Sequence, residues 1–147
     1  MDSDQILDCL GKPEPAPEVQ HLLRTLGVVN KLRMPKDDIE ARAELPEQGL
    51  SLIFKPTGPK SSVLFFQAVQ FFSDAEDGYK NFAGALPDQL QLTDSQAEVR
   101  AKLGKPTETK AAFRLDRWKK PGRITTIEYA KKSGRIGAIT VHVPAAD

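Results

Sequence analysis

The sequence predicts an α+β domain in which two to three short helices pack on one face of an antiparallel sheet of about five to six strands. Three observations lead to this fold class. Apolar residues alternate with period two through most of the chain after residue 36, turn sequences separate the alternating runs, and the helix candidates are few and short. A chain of 147 residues is long enough for one compact domain, so residues 1–147 are treated as a single unit.

Two short helices are expected before the first strand. Ser3 is a suitable N-cap for a helix that runs to Leu10, and Gly11 followed by Pro13 is a common way to end one. Pro17 suits the first position of a second helix, because a helix leaves its first backbone N–H groups unpaired. That helix is expected to run to Leu26, and its buried stripe consists of Val19, Leu22, Leu23 and Leu26.

Three strands are expected to follow as a meander. Residues Ile39–Glu44 form a weak candidate, Leu50–Lys55 a stronger one, and Val63–Phe72 is the most apolar run of the chain. The last of these is therefore expected to be a central strand. Residues 73–92 contain glycines and a proline between scattered apolar anchors, which is typical of a long irregular connection.

A third helix and three further strands are expected in the last third of the chain. Ser95 and Glu98 have the spacing of a capping box, and the helix they begin ends at Leu103 before a glycine. The strand candidates after it are Phe113–Lys119, Ile124–Ala130 and Ile136–Val143. The sequences KKPGR and KKSGR separate these strands, and each provides a glycine for a tight turn.

A short repeated sequence suggests that the fold is built from two similar halves. Leu10-Gly11-Lys12-Pro13 recurs at residues 103–106, each time at the end of a short helix. Halves 1–72 and 93–147 would each be a helix followed by a meander, and the two meanders could join edge to edge in one sheet. Helix-end chemistry alone also places glycine and proline in this pattern, so a chance recurrence remains the alternative.

Composition limits the classes of protein to which the chain can belong. One cysteine, Cys9, excludes an internal disulfide framework and a zinc site built from several cysteines. No apolar run is long enough to span a membrane, and the acidic N-terminus lacks the features of a secretory signal, so a cytoplasmic location is expected. Residues 1–98 carry 9 Lys or Arg and 16 Asp or Glu, whereas residues 99–147 carry 12 and 4. The two parts therefore have net charges of −7 and +8.

No group of residues has the spacing of a catalytic, metal or cofactor site. The two histidines, His21 and His142, lack a neighbouring nucleophile motif. Carboxylates at 74–77 precede a glycine but lack the ligand spacing of a calcium loop, and no phosphate-binding glycine pattern occurs. The basic part has no aromatic-rich or helix-turn-helix signature. We therefore expect no catalytic residue, no metal, no cofactor and no nucleic-acid partner.

One strand carries residue types that are common in protein interfaces. Trp118 lies among cations, with Arg117 beside it, and tryptophan and arginine are enriched among residues that dominate binding energy. These two residues are therefore candidates for partner binding. A lone tryptophan at the rim of the core is the alternative.

The order of motifs between Val69 and Val143 resembles that of a known class of proteins. An aromatic strand is followed by DGYKNFAGALPDQL, by the helix sequence SQAEVRAKLGKP, by a strand with DRW and by a final hairpin ending in IGAITVHV. This order resembles small immunity proteins that accompany bacterial polymorphic toxins of type VI or contact-dependent systems. The helix followed by three strands is similar, more loosely, to the repeat of the beta-lactamase inhibitor protein and to the SmpA/BamE assembly module.

The resemblance implies a non-enzymatic cytoplasmic protein that neutralises a cognate toxin by covering its active site or locking its fold. The acidic loop of Asp74, Glu76 and Asp77, with Tyr79, is the expected contact element, because carboxylates could occupy the basic cleft of a nucleic-acid-processing toxin. Solvated loop charges are the alternative. A BamE-like envelope adaptor and a small enzyme using carboxylates as acid and base are the other functions considered. The oligomeric state is not predicted.

Overall fold

Strand pairing in the computed structural model gives one seven-stranded antiparallel sheet accompanied by three α-helices, which confirms the α+β class. The structure describes residues 1–28, 32, 40–58, 63–75 and 78–144. The strands are β1 Ala41–Leu45, β2 Leu50–Pro56, β3 Leu64–Phe72, β4 Glu108–Lys110, β5 Leu115–Lys120, β6 Arg123–Tyr129 and β7 Ile136–His142. The helices are α1 Ser3–Leu7, α2 Pro17–Thr25 and α3 Gln96–Leu103.

Two meanders meet at the centre of the sheet. The strand order is β1-β2-β3-β7-β6-β5-β4, and the antiparallel pairing of β3 with β7 joins the meanders. The expected edge-to-edge arrangement is therefore present, with one strand more than expected. Strand β4 escaped prediction because it has three residues, Glu108, Thr109 and Lys110, with no apolar alternation. The helix-plus-meander repeat itself stays a prediction.

The helices begin where local capping chemistry favours them. In α3, Ser95 Oγ accepts the Glu98 N–H at 3.3 Å and Glu98 Oε1 accepts the Ser95 N–H at 3.1 Å, as the capping box predicts. In α1 the cap is Asp2 rather than Ser3, because Gln5 accepts the Asp2 N–H and Ser3 is buried. That helix also ends three residues earlier than predicted. None of the described helices is long and apolar enough to cross a membrane.

The apolar core lies between the helices and one face of the sheet. Side chains of α1 and α2 pack over the β1–β3 meander, and Val99 of α3 belongs to the same buried cluster as apolar residues of β5, β6 and β7. Rings of Phe54 and Phe66 stack with centroids 5.2 Å apart in this layer. The largest fully buried side chains are Phe54, Phe66, Phe71, Ile6, Leu50, Leu52, Ile127, Ile136, Ile139, Val19, Val69 and Val99.

Candidate interaction surface

The sheet face opposite the three described helices, here called the helix-free face, carries polar side chains in register across the whole sheet. Strand pairing aligns one residue from each of the seven strands in a single transverse line. This line, here called the polar row, consists of Glu44, Ser51, Gln70, Thr140, Thr126, Arg117 and Glu108. The regular period of strands places these side chains on the same side.

Hydrogen bonds between side chains hold much of the polar row in place. Gln70 Nε2 donates to Thr140 Oγ1 at 3.3 Å, and Arg117 Nε donates to Thr126 Oγ1 at 3.0 Å. From the neighbouring position on β1, Arg42 Nη1 reaches across β2 to Gln70 Oε1 at 3.4 Å. Side chains fixed in this way lose less conformational entropy when they bind a partner.

The β4–β5 end of the helix-free face is positively charged. Glu108 lies 3.1 Å from Arg117, 3.6 Å from Lys119 and 3.7 Å from Lys110, so one carboxylate faces three cations. Burial, together with the cations of Arg117 and Lys55, lowers the pKa of His142 below its ordinary value. His142 is therefore neutral at pH 7, and the charge of this end comes from lysine and arginine.

The acidic loop lies beside the same face. Tyr79 packs on Phe72, a residue of the helix-free face, with ring centroids 4.0 Å apart. Asp74 is exposed, and its backbone N–H donates to Asn81 Oδ1 at 2.7 Å. Glu76 and Asp77 lie outside the described residues. The structure thus brings Tyr79 to the helix-free face and leaves the Asp74 carboxylate accessible to a partner.

The sheet separates Trp118 from Arg117. Trp118 is only 5% exposed, faces the helices and donates its Nε1–H to the Gly104 carbonyl at 3.1 Å. Arg117 is half-buried on the helix-free face, where it bonds Thr126 and Glu108. In this structure Trp118 is therefore part of the core, and Arg117 alone of the pair contributes to the candidate surface.

Phe113 is a strongly exposed aromatic side chain that was not predicted to be a site residue. It is 68% exposed, against 43% for Val63 and 40% for Met1, the other exposed large apolar residues. The prediction that strand β5 begins at Phe113 is wrong, because residues Ala111–Phe113 form a 3-10 turn and Arg114 has a positive φ of 51°. No apolar pattern distinguishes such a turn from the start of a strand.

Phe113 borders a cleft of about 490 Å³ at the end of β6. Its floor includes the small residues Ala130 and Gly137, and its rim carries Arg114, Lys131 and Lys132. Glu128 contributes a carboxylate to the lining. We call this the cationic cleft. Its wall includes Ala75, so the cleft and the acidic loop adjoin each other.

A buried carboxylate, Asp116, joins α3 to three strands. It is fully buried and accepts hydrogen bonds from Arg100 Nη2 at 2.8 Å, Thr109 Oγ1 at 2.8 Å and the Tyr129 hydroxyl at 2.9 Å. Burial alone would raise the pKa of Asp116, but these bonds and one from Gln96 outweigh it and lower the pKa to about 2. Burial and the hydrogen bond to Asp116 raise the pKa of the Tyr129 hydroxyl. Asp116 is thus a permanently charged structural residue at neutral pH.

Cys9 and His21 line a second cavity, a groove of about 640 Å³ between α1 and α2. The Cys9 thiol points at the carbonyls of Glu18 and Gln5, at 3.6 and 3.8 Å. Burial raises the pKa of Cys9, so the sulfur remains protonated near neutral pH. An activated cysteine nucleophile has the opposite shift.

A search for metal-binding groups and comparisons with known proteins complete the description of the site. Among the described residues, no group of three or more histidine, cysteine, aspartate or glutamate side chains is arranged to hold a metal ion. No family model matches the chain, and no curated protein or solved structure matches it either.

Proposed function

We propose that this protein acts in the cytoplasm by binding a cognate protein toxin through its helix-free face, and that it inhibits the toxin without catalysing a reaction. The polar row is the observation that carries this proposal. Within this row Gln70 bonds Thr140, and Arg117 bonds both Thr126 and Glu108, so much of it is a rigid, directional surface of the kind that gives specificity in protein complexes. The resemblance to immunity proteins supplies the class of partner.

The helix-free face has the outline of a protein interface, although several of its residues, among them Ser51, Phe72 and Thr126, are only 0% to 7% exposed. Seven strands spaced about 4.8 Å apart make a face about 30 Å wide, and strands of about six residues are about 20 Å long. The outline therefore measures about 600 Å², of which only the exposed side chains can contact a partner, against the roughly 800 Å² that each partner buries in a standard interface. Loop residues at the edge, among them Tyr79 and Phe113, extend it further.

Charges of both signs border this face and would orient a partner. Asp74 presents a carboxylate at one edge, which fits the basic cleft proposed for a nucleic-acid-processing toxin. The cations around Glu108 lie at the β4–β5 end. A partner with a complementary arrangement would be steered into one orientation and captured quickly, which matters when the target is toxic.

The first test uses the protein encoded by the adjacent open reading frame. Co-expression with the chain should suppress its toxicity, and the purified proteins should bind. Thr140→Arg puts a bulky cation at the centre of the polar row and should weaken binding by about 30-fold, as for a central interface residue. Isothermal titration calorimetry measures the change.

Thr25→Arg is the matched control, because Thr25 is exposed at the end of α2 on the opposite side of the molecule. It should bind as the wild type does, and circular dichroism should show both variants folded. Absence of wild-type binding would refute the proposed function. Equal affinity of the wild type, Thr140→Arg and Thr25→Arg would show that the interface does not include the helix-free face.

A further inference from the structure

Two hairpins of the sheet have the same turn geometry. In the first, Leu45 pairs with Leu50 across a 3-10 turn, Pro46–Gln48, and Gly49 with a φ of 67°. In the second, Lys110 pairs with Leu115 across the 3-10 turn Ala111–Phe113 and Arg114 with a φ of 51°. Gly49 of the first turn and Arg114 of the second therefore occupy the same place in the two hairpins.

The first hairpin is covered by another part of the chain. The Lys80 N–H donates to the Pro46 carbonyl at 2.9 Å, and the Phe82 N–H donates to the Phe72 carbonyl at 3.0 Å. The cover is so close that a Cβ atom on Gly49 would lie 2.4 Å from the Lys80 carbonyl oxygen. Residues 80–82 thus lie along the ends of this hairpin and of β3.

Among the described residues, none covers the second hairpin in this way. Within the described ranges, the Ala111 carbonyl accepts only the Arg114 N–H, at 3.1 Å, whereas the equivalent Pro46 carbonyl accepts two N–H groups. The Tyr129 carbonyl, which corresponds to that of Phe72, accepts the Arg114 side chain at 3.4 Å. A side chain is tolerated at position 114, and Phe113 stays exposed, because the cationic cleft lies where a covering segment would be.

The charge of the cleft identifies the chemistry that would fill it. Arg114, Lys131 and Lys132 form no ion pair with any carboxylate of the described residues. Among the described residues that line the cleft, Glu128 supplies the one carboxylate. These described lining residues therefore carry an excess of two positive charges beside an exposed aromatic ring.

We propose that the cationic cleft binds an extended acidic segment of the partner protein, which covers the second hairpin as residues 80–82 cover the first. A backbone N–H of that segment would donate to the Ala111 carbonyl, an apolar side chain would pack on Phe113, and carboxylates would face Arg114, Lys131 and Lys132. That the partner is a toxin rests on the proposed function; the acidic segment follows from the cleft itself.

A protein segment fits the cleft better than a nucleic acid does. Peptide N–H groups can satisfy the Ala111 carbonyl, whereas a phosphate backbone has no donor for it. Single-stranded nucleic acids are usually bound by several aromatic rings in succession. Phe113 is the one strongly exposed aromatic side chain among the described residues.

The cleft is tested with a twelve-residue peptide of alternating aspartate and valine and a twin in which asparagine replaces aspartate. The acidic peptide should shift the backbone amide resonances of residues 113–114 and 131–132, and the asparagine twin should shift them far less. If the acidic peptide leaves these resonances unchanged, the inference is wrong whatever the adjacent gene product does. If (dT)20 binds the cleft more tightly than the peptide, the ligand is a nucleic acid instead.

Substitutions then test the cleft in the complex with the adjacent gene product. Phe113→Ser should weaken binding about 30-fold, and Lys131→Glu with Lys132→Glu about 10-fold. Val63→Ser is the control for Phe113→Ser, because it also replaces an exposed apolar residue. Arg24→Glu with Lys105→Glu is the control for the lysine pair, because it changes the net charge equally at exposed positions. Both controls should bind as the wild type does.

The possible outcomes separate the two proposals. Wild-type affinity in both cleft variants would overturn the inference and leave the proposed function standing. Binding of the acidic peptide without binding of the adjacent gene product would overturn the proposed function alone. If sedimentation shows a wild-type dimer that Phe113→Ser dissociates, the occupant is a second copy of the chain, and the inference is again overturned.

Discussion

At the scale of single residues, Trp118 and Phe113 show what sequence can and cannot reveal. Period-two alternation along β5 places Trp118 and Arg117 on opposite faces, but it does not show that the indole bonds Gly104 at the end of α3 and is buried. Phe113 has the sequence context of a strand and is exposed because its backbone turns before β5 begins. Which aromatic residue meets solvent depends on a backbone geometry that no periodicity encodes.

Asp116 carries the residue-scale prediction about stability. Asp116→Asn removes the charge that Arg100, Thr109 and Tyr129 were positioned to bond, so it should reduce the free energy of unfolding by about 2 kcal/mol. Urea denaturation at pH 7 measures this. Asp88→Asn, at an exposed position, is the control and should leave the unfolding midpoint unchanged.

The same variant should change the pH dependence of stability. A carboxylate with a pKa of about 2 in the folded state and an ordinary 3.8 in the unfolded state stabilises the fold above pH 3.8. That contribution is lost as the pH falls from 3.8 towards 2. The wild type should therefore lose more stability than Asp116→Asn across this interval, and parallel curves would show that Asp116 does not carry the effect.

At the scale of elements, capping residues and apolar alternation made α2, α3 and strands β2, β3, β6 and β7 predictable. Strand β4 and the bulge in β3 could not be predicted in this way. The register of β2 with β3 shifts so that Ile53 pairs with Ala68 and Phe54 with Phe66, which leaves Gln67 without a partner residue on β2. Gln67 bonds Val143 instead. Strict alternation would put Phe65 on the same side as Val69 and Phe71. The bulge instead turns Phe66 towards the core.

This bulge yields a prediction at the element scale. Phe66 is fully buried, so Phe66→Ala should reduce the free energy of unfolding by about 3 to 5 kcal/mol. Phe65 is partly exposed on the other side of the strand, and Phe65→Ala should cost about 1 kcal/mol. Thermal or urea unfolding of the pair compares them directly. Equal losses would contradict the register shift.

At the scale of the whole molecule, part of the charge asymmetry of the sequence becomes a separation in space, although Glu44 and Asp74 of the acidic part lie at the helix-free face. Exposed carboxylates of the acidic part lie on α1 and at its end, among them Asp4 and Asp8. Cations of the basic part surround Glu108 and the cationic cleft. The two net charges can be counted from the sequence. The positions of these charges depend on the strand order, which puts the cations around Glu108 beside the candidate interface and leaves Asp4 and Asp8 on the helix side.

This separation predicts how the chain approaches its partner. Lys110→Glu with Lys119→Glu reverses the charge at the β4–β5 end and should slow association with the adjacent gene product about 10-fold at low salt, with little effect at high salt. Asp4→Lys with Asp8→Lys changes the net charge by the same magnitude in the opposite direction, on the helix side, and should not slow association. Stopped-flow kinetics measures both rates. Because long-range attraction acts before contact, slower association of the helix-side variant would mean that the partner arrives over α1, away from the polar row.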